Sequence, residues 1–459
     1  MKNFITTLEH IWKIKDLRNR ILFTLAMIGV YRLGATIVLP GVVPSVLADF
    51  ASNKGQANDL LGLINIFTGG AFNNAAIFAL GIMPYITASI IIQLLGFAVP
   101  YFQRLQQKEG ESGRKKITQM TRLLTVAITL VQGGAYLTYV KSIGAISPNI
   151  PVSIFWFSSI IILSTGTVLA MWLGERITDK GIGNGISMII MIGIIARLPQ
   201  AIIFEFQAQL NQGGLLTFVL ELAGFFVVTM ICILVVQGVR RIPIQFAKRM
   251  VGRGNTNIPQ SGARDYIPLK LNAAGVMPII FAQAIMFLPM TVAQYFMGNS
   301  TGGAQTGGLL RALNDPFSWE TTILSFLLVV VFTYVYTALL VNPQQYAEYL
   351  KRQNAFIPGI KPGKDTAEFI DTITTRVTLP GALFLGLITI LPKLAHAAGV
   401  NQGFALFFGG TSLLILVGVV LDTLAQVESH LLMRKYDGLV KSGKLKGRSG
   451  SGMQIGANM

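Results

Sequence analysis

The stretch from Leu60 to Phe97 limits what this chain can fold into more than any other part of the sequence. Its second half, Ile77 to Phe97, is a charge-free and mostly apolar run of about 20 residues, the length that an α-helix needs to cross a bilayer. Its first half, Leu60 to Thr68, is apolar but too short to span, and polar or flexible residues separate the two halves: Gly69, Gly70, Asn73 and Asn74. Non-helical backbone is tolerated at membrane depth only where protein or a water-filled cavity covers it. The pattern therefore predicts a re-entrant half-helix followed by a spanning helix, which is typical of a pore or a binding site.

Composition narrows the class of protein. Of the 459 residues, 52% are apolar and 12% are charged, and the mean hydropathy is +0.59. Soluble domains carry about 25% charged residues, so the sequence predicts an all-α polytopic membrane protein. Cys232 is the one cysteine, which excludes a disulfide framework and a thiolate metal site.

Apolar runs of roughly the spanning length occur ten times along the chain. We place the ten predicted transmembrane helices at about 21–39, 77–97, 122–140, 154–173, 183–202, 215–237, 273–296, 321–341, 377–395 and 404–426.

Basic residues decide the orientation of these spans. Of the 37 lysines and arginines, all but six lie in alternate connecting segments; the six exceptions are Arg32, Lys54, Lys141, Arg197, Arg311 and Lys393. Because cytoplasmic segments carry the excess of basic residues, both termini are predicted to be cytoplasmic. Arg32 lies near the outer end of the first run, where snorkelling to the interface is the expected behaviour.

The span count suggests two halves. Five spans precede residue 210 and five follow it, so we predict an N-terminal half (1–210), a C-terminal half (211–430) and a cytoplasmic tail (431–459). Because five is odd, the halves would have opposite orientations, as in inverted-repeat transport proteins.

Two predicted cytoplasmic loops, 237–270 and 342–376, are longer than ordinary connectors and mix basic with apolar residues. Such loops suit docking to an acidic macromolecule or a large partner. Attraction to anionic lipid headgroups is the alternative, and charge alone favours it.

Catalytic motifs are absent from the sequence. His10, His396 and His430 are scattered, and no metal-protease, nucleophile-elbow or phosphate-loop motif occurs. The glycine-rich segment 181–185 precedes a spanning helix rather than following a strand, which argues against nucleotide binding. Glu221 and Asp422 lie within predicted spans, but neither indicates a proton or ion relay. Pairing with another residue or exposure at the interface accounts for each of them.

An isoleucine stripe marks the second span. Ile82, Ile86 and Ile90 recur every four residues and share one helix face. Alone, this stripe is more often a packing or lipid-facing surface than a gate. Beside a re-entrant half-helix, it could line an apolar constriction that closes by dewetting.

Several long motifs place the chain beside a known family. From about Asp16 to Gly447, the sequence closely resembles the SecY/Sec61 alpha family of protein-conducting channels. The resemblance is carried by GIMPYITASIIIQLL, KEGESGRKKITQ, MWLGERITDKGIGNGIS, NPQQYAEYLK, AFIPGIKPG, FGGTSLLI and YRLGATIVLPG.

The resemblance implies a fold and a set of site residues. The fold is a clamshell of two inverted five-helix halves around an hourglass pore, with a plug at about 60–74. By motif, the apolar pore ring maps to Ile82, Ile86, Ile186, Ile190, Ile280 and Ile415. The plug maps to Leu60, Leu61, Leu63, Ile64, Ile66, Phe67, Gly69 and Gly70. A lateral gate between the second and seventh helices maps to Gln93 and Asn272.

The resemblance also implies partners. Motor and ribosome docking map to the two long loops, at Arg240, Arg241, Lys248, Arg249, Arg253 and Lys361. The implied partners are the SecE and SecG small subunits, the SecA ATPase, the translating ribosome, unfolded preproteins, membrane lipid and accessory membrane insertion factors. Family members commonly carry arginine at the positions of Lys361 and Gly254, so docking through these two residues is expected to differ.

Three functions remain to be weighed. A protein-conducting channel of the bacterial cytoplasmic membrane, with no enzymatic activity and no cofactor, is the main prediction. A small-solute secondary transporter also fits inverted halves and broken helices, but the lack of midplane charges counts against it. An intramembrane enzyme is disfavoured by the missing motifs.

Overall fold

The computed structural model describes residues 12–47, 65–107, 110–211, 214–246, 264–283, 285–286 and 318–441. Helices dominate these residues. They are α1 (Lys15–Gly34), α2 (Met83–Ala98), α3 (Pro100–Gln107), α4 (Gly110–Ser142), α5 (Val152–Lys180), α6 (Gly185–Asn211), α7 (Leu215–Gln237), α8 (Trp319–Leu340), α9 (Pro343–Arg352), α10 (Lys364–Ala397), α11 (Gln402–Ala405) and α12 (Gly410–Lys441). A further helical segment covers 277–283.

Seven helical stretches among the described residues are long and apolar enough to cross a membrane. They comprise α4, α5, α6, α7, α8 together with α9, α10 and α12. Two predicted spans correspond to helices that are not among these seven. The first is α1, which begins with charged residues, and the second is α2, which has 16 residues. The predicted seventh span, 273–296, lies partly outside the described residues, and its described helix is 277–283. The multi-span helical prediction is therefore confirmed, while the count of ten stays a prediction.

The second helix starts later than its apolar run. The run was predicted to span from residue 77, but residues 68–82 form turns and α2 begins at Met83. Gly81 has a φ of +54°, which ends the preceding turn, and Pro84 stands in the first turn of α2, where its missing N–H costs nothing.

Strands join the two long loops, a feature that the sequence analysis did not predict. β1 (Val239–Phe246) pairs antiparallel with β2 (Arg264–Lys270) on one side and with β3 (Ala355–Phe356) on the other. Ile242, Ile244 and Leu269 turn into a small core with Leu350 of α9 and Ile370 of α10. The described parts of the loops at 237–270 and 342–376 therefore form one packed unit, and we call its side of the membrane the sheet side.

Helix contacts define two groups. In the first, α2, α4, α5 and α6 pack in sequence, and α1 packs on α5. In the second, α8, α10, α12 and α7 pack together. Contacts of α6 with α12 and α7 join the groups, and one large apolar core draws residues from both.

An ion pair and a close backbone contact hold helices of the first group together. The ion pair of Arg122 on α4 with Glu175 on α5 is bidentate, with distances of 3.2 and 2.6 Å. Further along α5, Gly166 lies against the carbonyl oxygen of Ile77, where a methyl group would not fit. The turn segment before α2 is thus seated directly on α5.

Candidate functional site

Six isoleucines from four parts of the chain meet in the large apolar core. Ile82 precedes α2, Ile86 lies in α2, Ile186 and Ile190 lie in α6, Ile280 lies in the helix 277–283, and Ile415 lies in α12. Ile82, Ile86, Ile190 and Ile415 are buried, whereas Ile186 and Ile280 are partly buried and pack against the same core. The residues predicted as a pore ring therefore lie together; their role in sealing a pore stays a prediction.

A cavity of about 250 Å³ lies beside this isoleucine cluster. Ile190, Ile280 and Ile415 line it, together with polar residues that include Asn184, Ser187, Lys270, Asn272, Asp422 and Thr423. Because Lys270 ends β2, the cavity lies on the sheet side. Its lining combines these polar residues with the isoleucines and other apolar side chains.

The re-entrant segment lies on the other side of the cluster. Along α6, Gly193 and Arg197 lie about 5 and 10 Å beyond Ile190, away from the cavity, and both contact residues 67–70. We call this the plug side. Ile66 and Phe67 belong to the same apolar core as the six isoleucines. Leu60, Leu61, Leu63 and Ile64, also predicted as plug residues, lie outside the described residues.

Local hydrogen bonds fold residues 65–73 on themselves. The backbone N–H of Gly70 donates to the Asn65 carbonyl at 2.8 Å, and the N–H of Asn73 donates to Asn65 Oδ1 at 3.1 Å. Gly69 and Gly70 adopt φ values of +64° and +97°, which disfavour any residue with a Cβ atom. The two glycines read from the sequence as helix breakers are therefore turn formers.

Neighbouring elements hold the rest of the re-entrant segment. The Leu39 N–H donates to the Ala75 carbonyl at 2.8 Å, and the Ile77 N–H donates to the Ile37 carbonyl at 2.9 Å. The buried Tyr136 hydroxyl of α4 donates to the Phe72 carbonyl at 2.7 Å. These bonds satisfy backbone groups that lipid could not.

Two arginines contact the tip of the plug. Arg32 Nη1 of α1 donates to the Gly69 carbonyl at 3.0 Å, so the expectation that Arg32 snorkels is corrected. A carbonyl oxygen inside the protein offers the guanidinium a closer acceptor than the interface does. Arg197 of α6 lies against Gly70, and Gly193 of α6 lies against the Phe67 carbonyl. Sequence reasoning missed both α6 residues, although an arginine within an apolar run was a usable signal.

The predicted gate residues make separate contacts. Gln93 Nε2 donates to Ser89 Oγ at 3.1 Å within α2. Asn272 is buried, its Nδ2 donates to the Gly275 carbonyl at 2.9 Å, and its Oδ1 has no partner among the described residues. The structure therefore places Asn272 at the cavity but records no hydrogen bond between it and Gln93 in the part of the chain that it describes.

The predicted docking residues lie on the sheet unit where they are described. Arg240 and Arg241 are exposed on β1, and Lys361 is exposed in the segment that follows β3. Lys248, Arg249, Arg253 and Gly254 lie outside the described residues. The pairing of β1 with β3 brings residues more than 100 positions apart into one unit, which separate analyses of each loop could not foresee.

Together these features define a helical membrane protein with a central cluster of isoleucines, a cavity on one side of it and a re-entrant segment on the other. The SecY family model matches residues 76–424. A protein translocase subunit SecY of Streptomyces coelicolor is 42% identical over 451 residues, which is 95% of this chain and all of the relative. The corresponding subunit of Chlamydia muridarum is 37% identical over 97% of this chain and all of its own. The chain therefore belongs to the SecY family.

Solved structures agree on the fold. A structure described as a protein conducting channel superposes with a TM-score of 0.62 at 19% identity, covering 94% of this chain and 95% of the other. A SecY structure described by its plug domain gives 0.61 at 17% identity and the same coverage. At these identities the likeness concerns the fold.

The contact between Gly193 and the Phe67 carbonyl yields a test of plug seating. Gly193→Ala puts a methyl group where Phe67 lies, so we expect faster amide hydrogen exchange across residues 65–82. Gly29→Ala is the matched control, because no atom lies within 4 Å of a Cβ built there. Equal exchange in the two variants would contradict the seating of the plug on α6.

Proposed function

We propose that this chain is the channel-forming subunit of a protein translocase, which passes unfolded preproteins across the cytoplasmic membrane. The observation that carries the proposal is the gathering of six isoleucines between the cavity on the sheet side and the re-entrant segment. Membership of the SecY family supports the same function, since the relatives are named protein translocase subunits.

The isoleucine cluster suits a seal for a chain of any sequence. Isoleucine is branched at Cβ and stiff at χ1, and it offers no polar group that would prefer one substrate. A narrow apolar ring closes to water and ions by dewetting. In the open channel the same ring would close around a polypeptide without binding it, while the plug would refill the path afterwards.

Lateral release would occur between α2 and the helix that contains residues 277–283. A substrate segment of about 20 apolar residues is more stable in lipid than in a polar cavity. Asn272 lies at the cavity, and its Oδ1 has no partner within the described part of the chain, which supports a role at the seam. A polar segment would instead continue past the isoleucines.

Opening would be a movement of the halves 1–210 and 211–430 against each other, with the tail 431–459 in the cytoplasm. The contacts of α6 with α12 and α7 support a junction at this place. The excess of lysine and arginine in alternate segments supports a cytoplasmic sheet side and cytoplasmic termini.

Energy for transport would come from partners, since the sequence contains no phosphate-binding loop. The exposed Arg240, Arg241 and Lys361 on the sheet unit support docking of the SecA ATPase or of a translating ribosome. The Sec61 and Ssh1 channels of similar fold are described in complexes with ribosomes. SecE, SecG, lipid and accessory membrane insertion factors would complete the assembly around the helices.

A small-solute transporter remains the second candidate, because broken helices are also found there. The apolar character of the central cluster disfavours it, since a solute site needs polar groups at the midplane. Neither candidate requires enzymatic activity.

Polar substitution tests the seal. Ile86→Ser with Ile190→Ser should let water and ions enter the constriction, so basal single-channel conductance in planar bilayers should rise at least severalfold. The control pair is Ile161→Ser with Ile203→Ser, because both side chains lie at least half exposed on the outer helix faces. Unchanged conductance in a folded Ile86/Ile190 variant would argue against a ring at these positions.

Charge reversal tests docking. Lys361→Glu replaces an exposed cation of the sheet unit with an anion, and we expect at least tenfold slower SecA-driven export with unchanged amounts of assembled channel. Lys180→Glu is the control, because Lys180 is equally exposed at the end of α5 but lies outside the sheet unit. Equal effects of the two variants would overturn a specific role for Lys361.

A further inference from the structure

Two glutamates meet at the plug-side junction between α6 and α7. Glu205 of α6 is fully buried, which is exceptional for a carboxyl group. Glu221 of α7 is partly buried and, like Glu205, accepts a hydrogen bond from Nε2 of Gln209, so one amide group holds the two carboxyl groups side by side. Of these two glutamates, only Glu221 was considered from the sequence, where pairing or exposure at the interface was expected for it.

Both oxygens of Glu205 accept hydrogen bonds from N–H groups. Gln209 Nε2 donates to Glu205 Oε1 at 3.0 Å, and the backbone N–H of Asn401 donates to Oε2 at 3.0 Å. An N–H group donates only to an oxygen with a free lone pair. Glu205 is therefore well placed to be the ionised member of the pair.

Glu221 differs from Glu205 in its partners. Its Oε1 accepts the second N–H of Gln209 at 3.1 Å, while its Oε2 is buried without a partner among the described residues. The Gln209 amide is oriented by Thr217, whose hydroxyl donates to Gln209 Oε1 at 2.9 Å. Each carboxyl group therefore receives one N–H of the Gln209 side chain. Among the carboxyl oxygens of the pair, Glu221 Oε2 is the one without a hydrogen bond from the described residues.

The basic residues on the packed elements have contacts of their own. On α10, Lys393 Nζ lies 3.6 Å from the centre of the Trp319 ring, and His396 Nδ1 lies 3.3 Å from the Val400 carbonyl. On α6, Arg197 Nη1 donates to Gln200. The short α11 carries no titratable residue, and on α12 Asp422 lies at the cavity on the sheet side. The ion pairs formed by Arg20, Lys115, Arg122 and Arg352 do not involve Glu205 or Glu221.

Two ionised carboxylates that share one amide donor would repel each other strongly away from water. A carboxylate has no proton to donate, so a hydrogen bond between two carboxyl groups requires one of them to be protonated. We propose that Glu221 Oε2 holds a proton and donates it to the Glu205 carboxylate, so that the pair carries one negative charge.

This proton completes a polar clasp at the junction. Glu205 ties α6 to the loop before α11 through the Asn401 N–H, and Gln209 ties α6 to α7 through Glu221 and Thr217. The clasp concerns local structure at the α6–α7 junction, and it stands whether or not the chain conducts polypeptide.

Infrared spectroscopy detects such a proton directly. At about pH 7, exposed carboxyl groups are ionised, so a protonated carboxyl band from the full chain in lipid nanodiscs must come from a protected group. We expect this band in the wild type, its shift on ¹³C labelling of glutamate side chains, and its loss in Glu221→Gln. Glu320→Gln, at an exposed position on α8, should leave the band unchanged.

Melting temperatures distinguish the roles of the two glutamates. Glu221→Gln can still donate from Nε2 to Glu205, so its melting temperature should stay close to that of the wild type. Glu205→Gln offers one acceptor oxygen for two N–H donors, so its melting temperature should fall. A wild type without a glutamate carboxyl band, or a band that survives Glu221→Gln, would overturn the proposal.

Discussion

Backbone hydrogen bonding of the re-entrant segment is the constraint on which the rest of this structure depends. Residues 65–82 lie against membrane-spanning helices without forming a spanning helix, so lipid could not satisfy their amides and carbonyls. Tight turns, the segment at Ile37–Leu39, the Tyr136 hydroxyl and the Arg32 guanidinium satisfy them instead. The first group of helices is arranged so that α1, α4, α5 and α6 all reach this segment, with Gly166 and Gly193 providing the close approaches.

The two kinds of contact between the helix groups have different physical consequences. At the centre, the isoleucine cluster is apolar and non-directional, so it can separate and close again without leaving unpaired polar groups. At the plug-side end of α6, hydrogen bonds of fixed geometry join Glu205, Gln209 and Glu221 to neighbouring elements. The proposed seal and the junction at the end of α6 are thus built from opposite chemistry.

Much of the architecture could be predicted from the sequence because bilayer crossing imposes a length and a polarity on each helix. The plug was recognisable because Gly69 and Gly70 interrupt an apolar run, and the isoleucines were recognisable through family motifs. Contacts between distant residues could not be predicted. The pairing of β1 with β3, the seating of Phe67 on Gly193, and the bridging of Glu205 and Glu221 by Gln209 depend on how distant elements pack, which no local pattern encodes.

The measurement that tests the central claim most directly is single-channel conductance in planar bilayers, comparing the intact chain with a variant that lacks residues 60–74. A plugged, apolar constriction predicts a silent intact channel and large, fluctuating currents after the deletion. Silence in both, with the deletion variant still folded, would contradict a plugged pore.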